Sequence, residues 1–302
     1  MKDAQHERRQ RITGIALMCG AVACFACLDT SAKYLTAEMP TSQIVAARYI
    51  SAFMLALVLV NPISHPRLTV TRRPVMQIAR SILMLASTVL NFIAVRYLQL
   101  DQTLAIMFST PFLVAVMAGP LLGESLDWRR WAAIGVGFAG VLLVTRPGAG
   151  GIHPAALLSF GGAICYAVYG IMTRALARTD SNETTLFYSN LVGAVVMVPI
   201  LPFVWTPPTD WTSALLMVAM GAFAGFGHYL LIVAHRLAPA SVLSPFIYSQ
   251  MIWMITLGYL VFDNVPNHWT LAGAAVVIAS GIYLIQREHR RRVIPPAPDI
   301  VG

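Results

Sequence analysis

Hydrophobic and polar positions alternate along this chain in blocks, because long apolar runs are separated by short polar stretches. A run of roughly 20 apolar residues crosses the hydrocarbon core as a helix, and backbone groups at that depth must be hydrogen-bonded within the segment. The pattern therefore predicts an all-α membrane protein with ten transmembrane helices at 12–35, 43–60, 75–97, 102–121, 129–145, 154–176, 184–205, 211–234, 241–261 and 268–286.

Composition supports this interpretation and excludes a soluble domain. Hydrophobic residues make up 57% of the 302 residues and charged residues only 11%, whereas a soluble domain carries about 25% charged residues. The ten runs leave only a short N-terminal segment, 1–11, short connections, and a basic, proline-rich tail at 287–302.

The distribution of Lys and Arg predicts the orientation. If the N-terminus is cytoplasmic, sixteen of the 21 Lys and Arg residues fall on the cytoplasmic side. The outside has three, Lys33, Arg96 and Arg146, and two more lie within spans. This positive-inside asymmetry predicts that both termini lie on the cytoplasmic side of a bacterial inner membrane. A net charge of +8 arises from short loops, so we expect no nucleic-acid partner.

The two halves of the chain resemble each other. Equivalent residues are 139 positions apart near the fourth and ninth spans and 141 positions apart beyond them, as in the pairs Leu98 and Leu237, Glu124 and Asp263, Trp128 and Trp269, and Arg146 and Arg287. Each half, 12–146 and 154–286, holds five helices. Because five is odd, the halves enter the membrane in opposite directions, which is an arrangement typical of transporters.

The ordered motifs of both halves resemble a known family. Phe-Ser-Thr-Pro at 108–111, Leu-Leu-Gly-Glu at 121–124 and the glycine-rich 131–146 are similar to the EamA domain of the drug/metabolite transporter superfamily. The second copy lies at 240–245 and 273–281, with Phe262 and Asp263 where Gly-Glu is usual. The resemblance implies ten helices around a central cavity, peripheral fifth and tenth helices, and a likeness to bacterial exporters of aromatic and hydrophobic amino acids.

Charged residues inside a span are costly and therefore point to function. Asp29 and Lys33, spaced i, i+4, are interpreted as a local ion pair or as a latch at an outer gate. Arg48 either snorkels outward or binds a substrate carboxylate. Arg80 is expected to snorkel at the inner end of its helix, with guarding of an inner opening as the alternative. Glu124 and Asp263 are interpreted as residues that close turns.

Uncharged polar and aromatic side chains are the candidates for a substrate cavity, since ligand pockets are mostly apolar with a few placed polar groups. Each also has an alternative interpretation as an interfacial aromatic or an interhelical contact. Pro111 and Pro245 are candidate hinges. The cavity candidates are Asn91, Met107, Phe108, Tyr166, Tyr169, Tyr188, Asn190, His228, Tyr229, Tyr248, Gln250 and Trp253.

These features predict a transporter that exports small metabolites, most readily aromatic or hydrophobic amino acids, by alternating access. The alternative is an importer or exchanger of a nucleoside-like or cofactor-like metabolite. An intramembrane enzyme or a receptor is disfavoured, because no catalytic motif occurs at lipid depth. We expect no cofactor, no metal, free thiols at all four cysteines, and a monomer or weak homodimer. Only Asp29 and His228 suit a proton relay, so weak or absent proton coupling is expected.

Overall fold

The computed structural model describes residues 2–59, 69–97, 106–123, 127–145, 154–263 and 268–290. Within these ranges the chain forms ten long helices and no strand, which confirms the all-α prediction. The helices are α1 (Lys2–Leu35), α2 (Thr41–Leu59), α3 (Pro74–Tyr97), α4 (Thr110–Leu122), α5 (Trp128–Thr145), α6 (Ala155–Leu176), α7 (Asn182–Met197), α8 (Trp211–Leu237), α9 (Gln250–Phe262) and α10 (His268–Arg290).

Six segments within the described ranges are long and apolar enough to cross a membrane. They comprise α1, α2, α3, α6 and α8, together with α9 and the 3₁₀ turn Ser244–Ser249 that precedes it. Shorter apolar stretches lie within α5, at Trp131–Gly140, and within α10, at Leu271–Ser280. The chain is thus a multi-pass membrane protein, and the helix order is consistent with ten crossings.

Prolines set several of the differences from the predicted spans. The structure has α7 ending at Met197, followed by a turn and the short helix Leu201–Val204, because Pro199 and Pro202 cannot continue the backbone hydrogen-bond ladder. Pro111 is the second residue of α4, and Pro245 is the second residue of the 3₁₀ turn. A proline fits the first turn of a helix, since the amide it lacks has no partner there.

Helix packing in the described part of the chain has the two-fold symmetry that the repeat predicts. The pair α1 and α8 corresponds to the pair α6 and α3, and both pairs pack closely. Likewise α2 with α8 matches α7 with α3, and α1 with α9 matches α6 with α4. The remaining pairs, α2 with α7 and α5 with α10, each join a helix to its counterpart in the other half. The closest helix pairs therefore join the first half to the second.

Small residues allow the central helices to approach closely. A Cβ atom at Gly221 of α8 would lie 2.5 Å from the backbone nitrogen of Ala52 in α2. At Gly227, also in α8, it would lie 2.7 Å from the ring of Phe25 in α1. Gly193 of α7 meets the ring of Tyr49 in the same way. These crossings position α2, which carries Arg48, against the second half.

All four cysteines are free, as expected.

One end of the bundle is fastened by the connection between α1 and α2. The side-chain amide of Gln43 donates to the carbonyl of Thr206 at 2.6 Å and accepts from its backbone N–H at 2.6 Å. Glu38 accepts hydrogen bonds from Thr209 and, at 3.0 Å, from Ser213. This clasp, which we name the outer clasp because the charge pattern predicts that this end faces outward, ties the first half to the residues that lead into α8.

A symmetry-related clasp fastens the opposite end. Asp180, between α6 and α7, accepts hydrogen bonds from Thr71, from Gln77 at 2.8 Å and from the backbone N–H of Arg72 at 3.1 Å. Burial alone would raise the pKa of Asp180, but these hydrogen bonds outweigh it and hold the pKa below its ordinary value. This second clasp, which we name the inner clasp because the charge pattern predicts that this end faces the cytoplasm, ties the second half to the residues that lead into α3. Each half thus contributes one carboxylate to one clasp.

The turns after α4 and α9 use the left-handed region of backbone space. Gly123 has φ of 69° and Asp263 has φ of 52°. A residue in this conformation commonly ends a helix, and glycine adopts the conformation without a steric penalty. The structure supports the interpretation of Asp263 as a turn-closing residue, whereas Glu124 lies outside the described residues.

Candidate functional site

A buried arginine forms the first part of a polar cluster between the two halves. Arg80 of α3 is fully buried, so the prediction that it snorkels is wrong. Its guanidinium donates to the hydroxyls of Thr173 at 2.6 Å, Ser189 at 2.6 Å and Tyr169 at 2.9 Å. It also lies 4.4 Å from the ring centroid of Tyr169. Acceptors on α6 and α7 replace the water that the charge has lost.

His228 of α8 forms the centre of the cluster. Its Nε2 lies 3.3 Å from a terminal nitrogen of Arg48, and its Nδ1 lies 3.0 Å from the Tyr169 hydroxyl. Because a guanidinium only donates, Nε2 accepts, and the neutral ring carries its proton on Nδ1. The Tyr169 oxygen then accepts from both His228 and Arg80. Its own hydroxyl hydrogen remains available to a further acceptor.

Arg48 of α2 forms the second cationic part. Its side chain is 8% exposed, so it is buried and does not snorkel. One terminal nitrogen donates to Thr88 at 2.9 Å, and Thr88 also lies 3.3 Å from the hydroxyl of Tyr49. The Nε of Arg48 is buried and has no hydrogen-bond partner among the described residues. A buried donor without a partner is uncommon and calls for a ligand or water.

Asp29 and Lys33 do not form the ion pair considered from the sequence. Asp29 accepts a hydrogen bond from the Gln250 amide at 2.9 Å. The ammonium of Lys33 lies 4.5 Å above the ring of Phe262. The i, i+4 spacing allowed a pair, but α9 packs against α1 and supplies each side chain with a different partner. Asp29 also interacts electrostatically with Arg48, which places it near the cluster.

A narrow cavity lies beside the cluster. Its volume is about 20 Å³, which is enough for about one water molecule and too small for a metabolite. Two of its lining residues, Tyr166 and Tyr169, stack with ring centroids 5.6 Å apart. The hydroxyl of Ser244, which also lines it, is buried without a partner among the described residues.

Several of the other predicted cavity residues are buried or half-buried. Phe108 packs edge to face on Tyr248 with centroids 5.9 Å apart. The Tyr248 hydroxyl is buried and has no partner within the described part of the chain. Asn190 is buried on α7, one position beyond Ser189. Met107 is half-buried beside Phe108.

Other predicted cavity residues lie away from the cluster. Tyr188 donates to the carbonyl of Thr69 near the inner clasp, at 2.9 Å. Asn91 accepts from Ser159 at 3.3 Å where α3 crosses α6. Trp253 is 45% exposed on the outside of α9. Tyr229 follows His228 in the sequence and is half-buried.

Sequence reasoning did not identify the hydroxyl partners of the arginines. Thr88, Thr173 and Ser189 each accept from a guanidinium, and each also donates to its own helix backbone at 3.0, 2.7 and 2.7 Å respectively. The available signal was indirect. A buried arginine requires acceptors on neighbouring helices, and Ser and Thr residues within spans are the natural suppliers.

The cluster suits binding more than bond-making chemistry. It offers two fixed cations, aromatic faces and unpaired hydroxyls at the interface between the halves. Among the described residues the one ion pair joins Arg11 to Glu7, far from this region. Both arginines therefore keep a positive charge, and no carboxylate within the described ranges contacts either of them.

Comparison with known proteins identifies the family. The model of the EamA-like transporter family matches residues 12–146 and again 153–286. An S-adenosylmethionine uptake transporter of Rickettsia bellii is 26% identical over 262 residues, which cover 87% of this chain and 89% of that protein. A riboflavin transporter of Vibrio cholerae is 24% identical over 283 residues, which cover 93% and 95%.

A solved crystal structure shares the fold. It aligns with a TM-score of 0.72 at 17% identity and covers 94% of this chain and 98% of its own. Two copies of the family model span most of the sequence, and the packing relates the two halves by a two-fold axis. The chain therefore belongs to the EamA-like transporter family.

Proposed function

We propose that this chain is an uptake transporter of the bacterial inner membrane for a cofactor-like metabolite that carries a flat heteroaromatic ring and hydroxyl groups. The observation that carries the proposal is the cluster of Arg48, His228, Tyr169 and Arg80 between the two halves. A buried charge in a membrane bundle is costly and is retained where a pathway or site requires it.

The chemistry of the cluster matches the substrates named for the relatives. S-adenosylmethionine and riboflavin both contain a flat heteroaromatic ring and several hydroxyl groups. Stacked tyrosines supply faces for such a ring, and the guanidinium and hydroxyl groups supply hydrogen bonds. The relative named for S-adenosylmethionine is an uptake transporter, which favours uptake, and neither relative is named for amino-acid export.

Alternating access at this cluster requires that the two ends open in turn. The cavity of about 20 Å³ cannot hold such a metabolite, so substrate entry requires the halves to separate on one side. The breaks in helical geometry at Pro111 and Pro245 lie beside the cavity, at Thr110 and Ser244. We propose that these two positions bend as the site opens.

The remaining features of the proposal follow from charge and family. The excess of Lys and Arg supports a cytoplasmic position for both termini and the inner clasp. The protein acts as a monomer or weak homodimer without a bound cofactor, and it moves its substrate without chemical change. The five-helix halves, 12–146 and 154–286, are the units that move relative to each other.

Uptake assays test the proposal. Purified protein is reconstituted into proteoliposomes, and entry of radiolabelled S-adenosylmethionine, riboflavin and phenylalanine is measured against empty liposomes. We expect saturable entry of one of the two cofactor-like compounds. Transport of phenylalanine alone would refute the proposal and restore amino-acid export. Tyr166→Ala should lower uptake, and Trp253→Ala, on the outside of α9, is the matched aromatic control.

Proton coupling is tested in the same system. The neutral His228 is held by a guanidinium at Nε2, so it has no free nitrogen with which to relay a proton. We expect uptake to change little when a pH gradient is imposed. A steep increase that disappears in Asp29→Asn would contradict this expectation.

A further inference from the structure

Two opposite charges lie close together in the membrane interior without forming an ion pair. Arg48 and Asp29 interact electrostatically, yet no direct contact joins them within the described part of the chain. Charges in the membrane interior are normally paired, because an unpaired charge that has lost its water is costly. A separated pair can be bridged by a molecule that carries both charges itself.

The helix geometry fixes where the two charges stand. Phe25 lies one turn before Asp29 on α1, and its ring centroid is 4.7 Å from that of His228. His228 in turn contacts Arg48. Residues four apart share a helix face, and four residues correspond to about 6 Å of rise along the helix. Asp29 therefore lies about one turn from the level at which Arg48 meets His228, on the same side of α1.

Both side chains keep a free hydrogen-bonding position. The terminal nitrogens of Arg48 bind Thr88 and His228, while its Nε has no partner. One oxygen of Asp29 accepts from Gln250, and the other has no partner among the described residues. Asp29 is also only partly buried. The unused donor and the unused acceptor thus belong to neighbouring groups.

A tyrosine connects this pair of charges to the cavity. Tyr166 interacts electrostatically with both Arg48 and Asp29. It also lines the cavity and stacks on Tyr169. A molecule with its charged group at Arg48 and Asp29 would place the rest of its structure along the tyrosine faces.

We propose that Arg48 and Asp29 form a subsite for the zwitterionic amino-acid group of the substrate. The substrate carboxylate binds the guanidinium of Arg48, and the substrate ammonium binds the free oxygen of Asp29. A simple anion would be repelled by Asp29, and a simple cation by Arg48. This inference rests on the proposed uptake function and narrows its substrate to a nucleoside-like compound with an α-amino-acid group, such as S-adenosylmethionine, in preference to an uncharged flavin.

Competition in proteoliposomes tests the subsite. Uptake of radiolabelled S-adenosylmethionine is inhibited with three unlabelled compounds. These are S-adenosylmethionine itself, its decarboxylated form, which lacks the carboxylate, and methylthioadenosine, which lacks the whole amino-acid group. We expect the intact compound to inhibit at least about tenfold more strongly than either analogue, because each charge-assisted hydrogen bond contributes about 1.5–3 kcal/mol, a factor of about 10 or more.

Two variants assign the contacts. Arg48→Gln should abolish the preference for the intact over the decarboxylated compound. Methylthioadenosine is a thioether and lacks the sulfonium charge as well, so the contact of Asp29 is assigned with the dimethylsulfonium analogue of adenosine, which keeps that charge. Asp29→Asn should reduce the advantage of the decarboxylated compound, which keeps the ammonium, over this analogue. A ratio of inhibition constants is unaffected by a smaller amount of folded protein. Glu38→Gln removes a carboxylate of the outer clasp, away from the subsite, and should leave both ratios unchanged.

Other outcomes separate this inference from the proposed function. Uptake of riboflavin without uptake of S-adenosylmethionine would overturn the zwitterion subsite and leave cofactor uptake standing. Unchanged ratios in both variants would also overturn the subsite. Absence of uptake of either compound by folded protein would overturn both.

Discussion

Replacement of Gly221 by alanine should separate α2 from α8 and destabilise the protein. The new Cβ atom would lie 2.5 Å from the backbone nitrogen of Ala52 and 2.5 Å from the backbone carbon of Ser51. Ordinary contact requires about 3.4 Å or more, and backbone atoms cannot rotate away as a side chain can. The helices must therefore move apart by about 1 Å, which typically costs about 1–3 kcal/mol.

Two smaller effects partly cancel. Alanine is favoured over glycine inside a helix by about 1 kcal/mol. The hydrogen bond from Ser51 to the carbonyl of Met217, at 3.2 Å, is lost at a cost of about 1 kcal/mol. The net loss of about 1–3 kcal/mol corresponds to a fall of several degrees in Tm. Uptake should fall as well, since α2 also carries Arg48.

Gly225, one turn further along α8, is the matched control. A Cβ atom there would meet nothing within 4 Å. Gly225→Ala should therefore leave Tm unchanged or raise it slightly. Thermal unfolding of both variants in detergent, followed by intrinsic fluorescence, makes the comparison. Equal shifts in the two variants, or no shift for Gly221→Ala, would refute the argument from close approach.

Three further predictions concern buried charge, pH and backbone strain. Arg80→Lys should lower Tm more than Arg80→Met, because lysine keeps a buried charge with fewer donors whereas methionine removes the charge. Both variants should lower uptake, because each releases Tyr169. A higher Tm for the lysine variant than for the methionine variant would contradict this reasoning. The pKa of Asp180 is held below its ordinary value, so its stabilising effect is complete above about pH 4 and is lost as the pH falls further; Asp180→Asn should flatten the fall in Tm over that acidic range. Asp263→Gly should raise stability by up to about 1 kcal/mol, since Asp263 has a positive φ of 52°. Gly123→Asp should lower stability for the same reason. Calorimetry of the two variants tests whether their stability changes have opposite signs.

Much of the fold was predictable because it depends on local and additive properties. The apolar runs located most helices to within a few residues, since each span must satisfy the membrane on its own. Several of the discrepancies occur where proline interrupts an apolar run, as at Pro199 and Pro202. Hydropathy does not register the loss of a backbone donor there.

The candidate site was predictable only in part. Intramembrane charge singled out Arg48, Arg80 and Asp29 because a charge in lipid requires an explanation. Their partners were not predictable, because Thr88 and Ser189 look like ordinary polar residues of a span. Trp253 has the aromatic character of a cavity residue, yet it faces outward.

The sequence by itself determined the class of protein, the repeat, and the charges that the membrane interior must accommodate. The tertiary structure decided which side chains meet. It set Asp29 against Gln250 rather than Lys33, and it brought Arg48, Arg80 and His228 together from three helices. The physical reason is that hydrophobicity fixes where a helix lies, whereas close packing between helices fixes its rotation and depth.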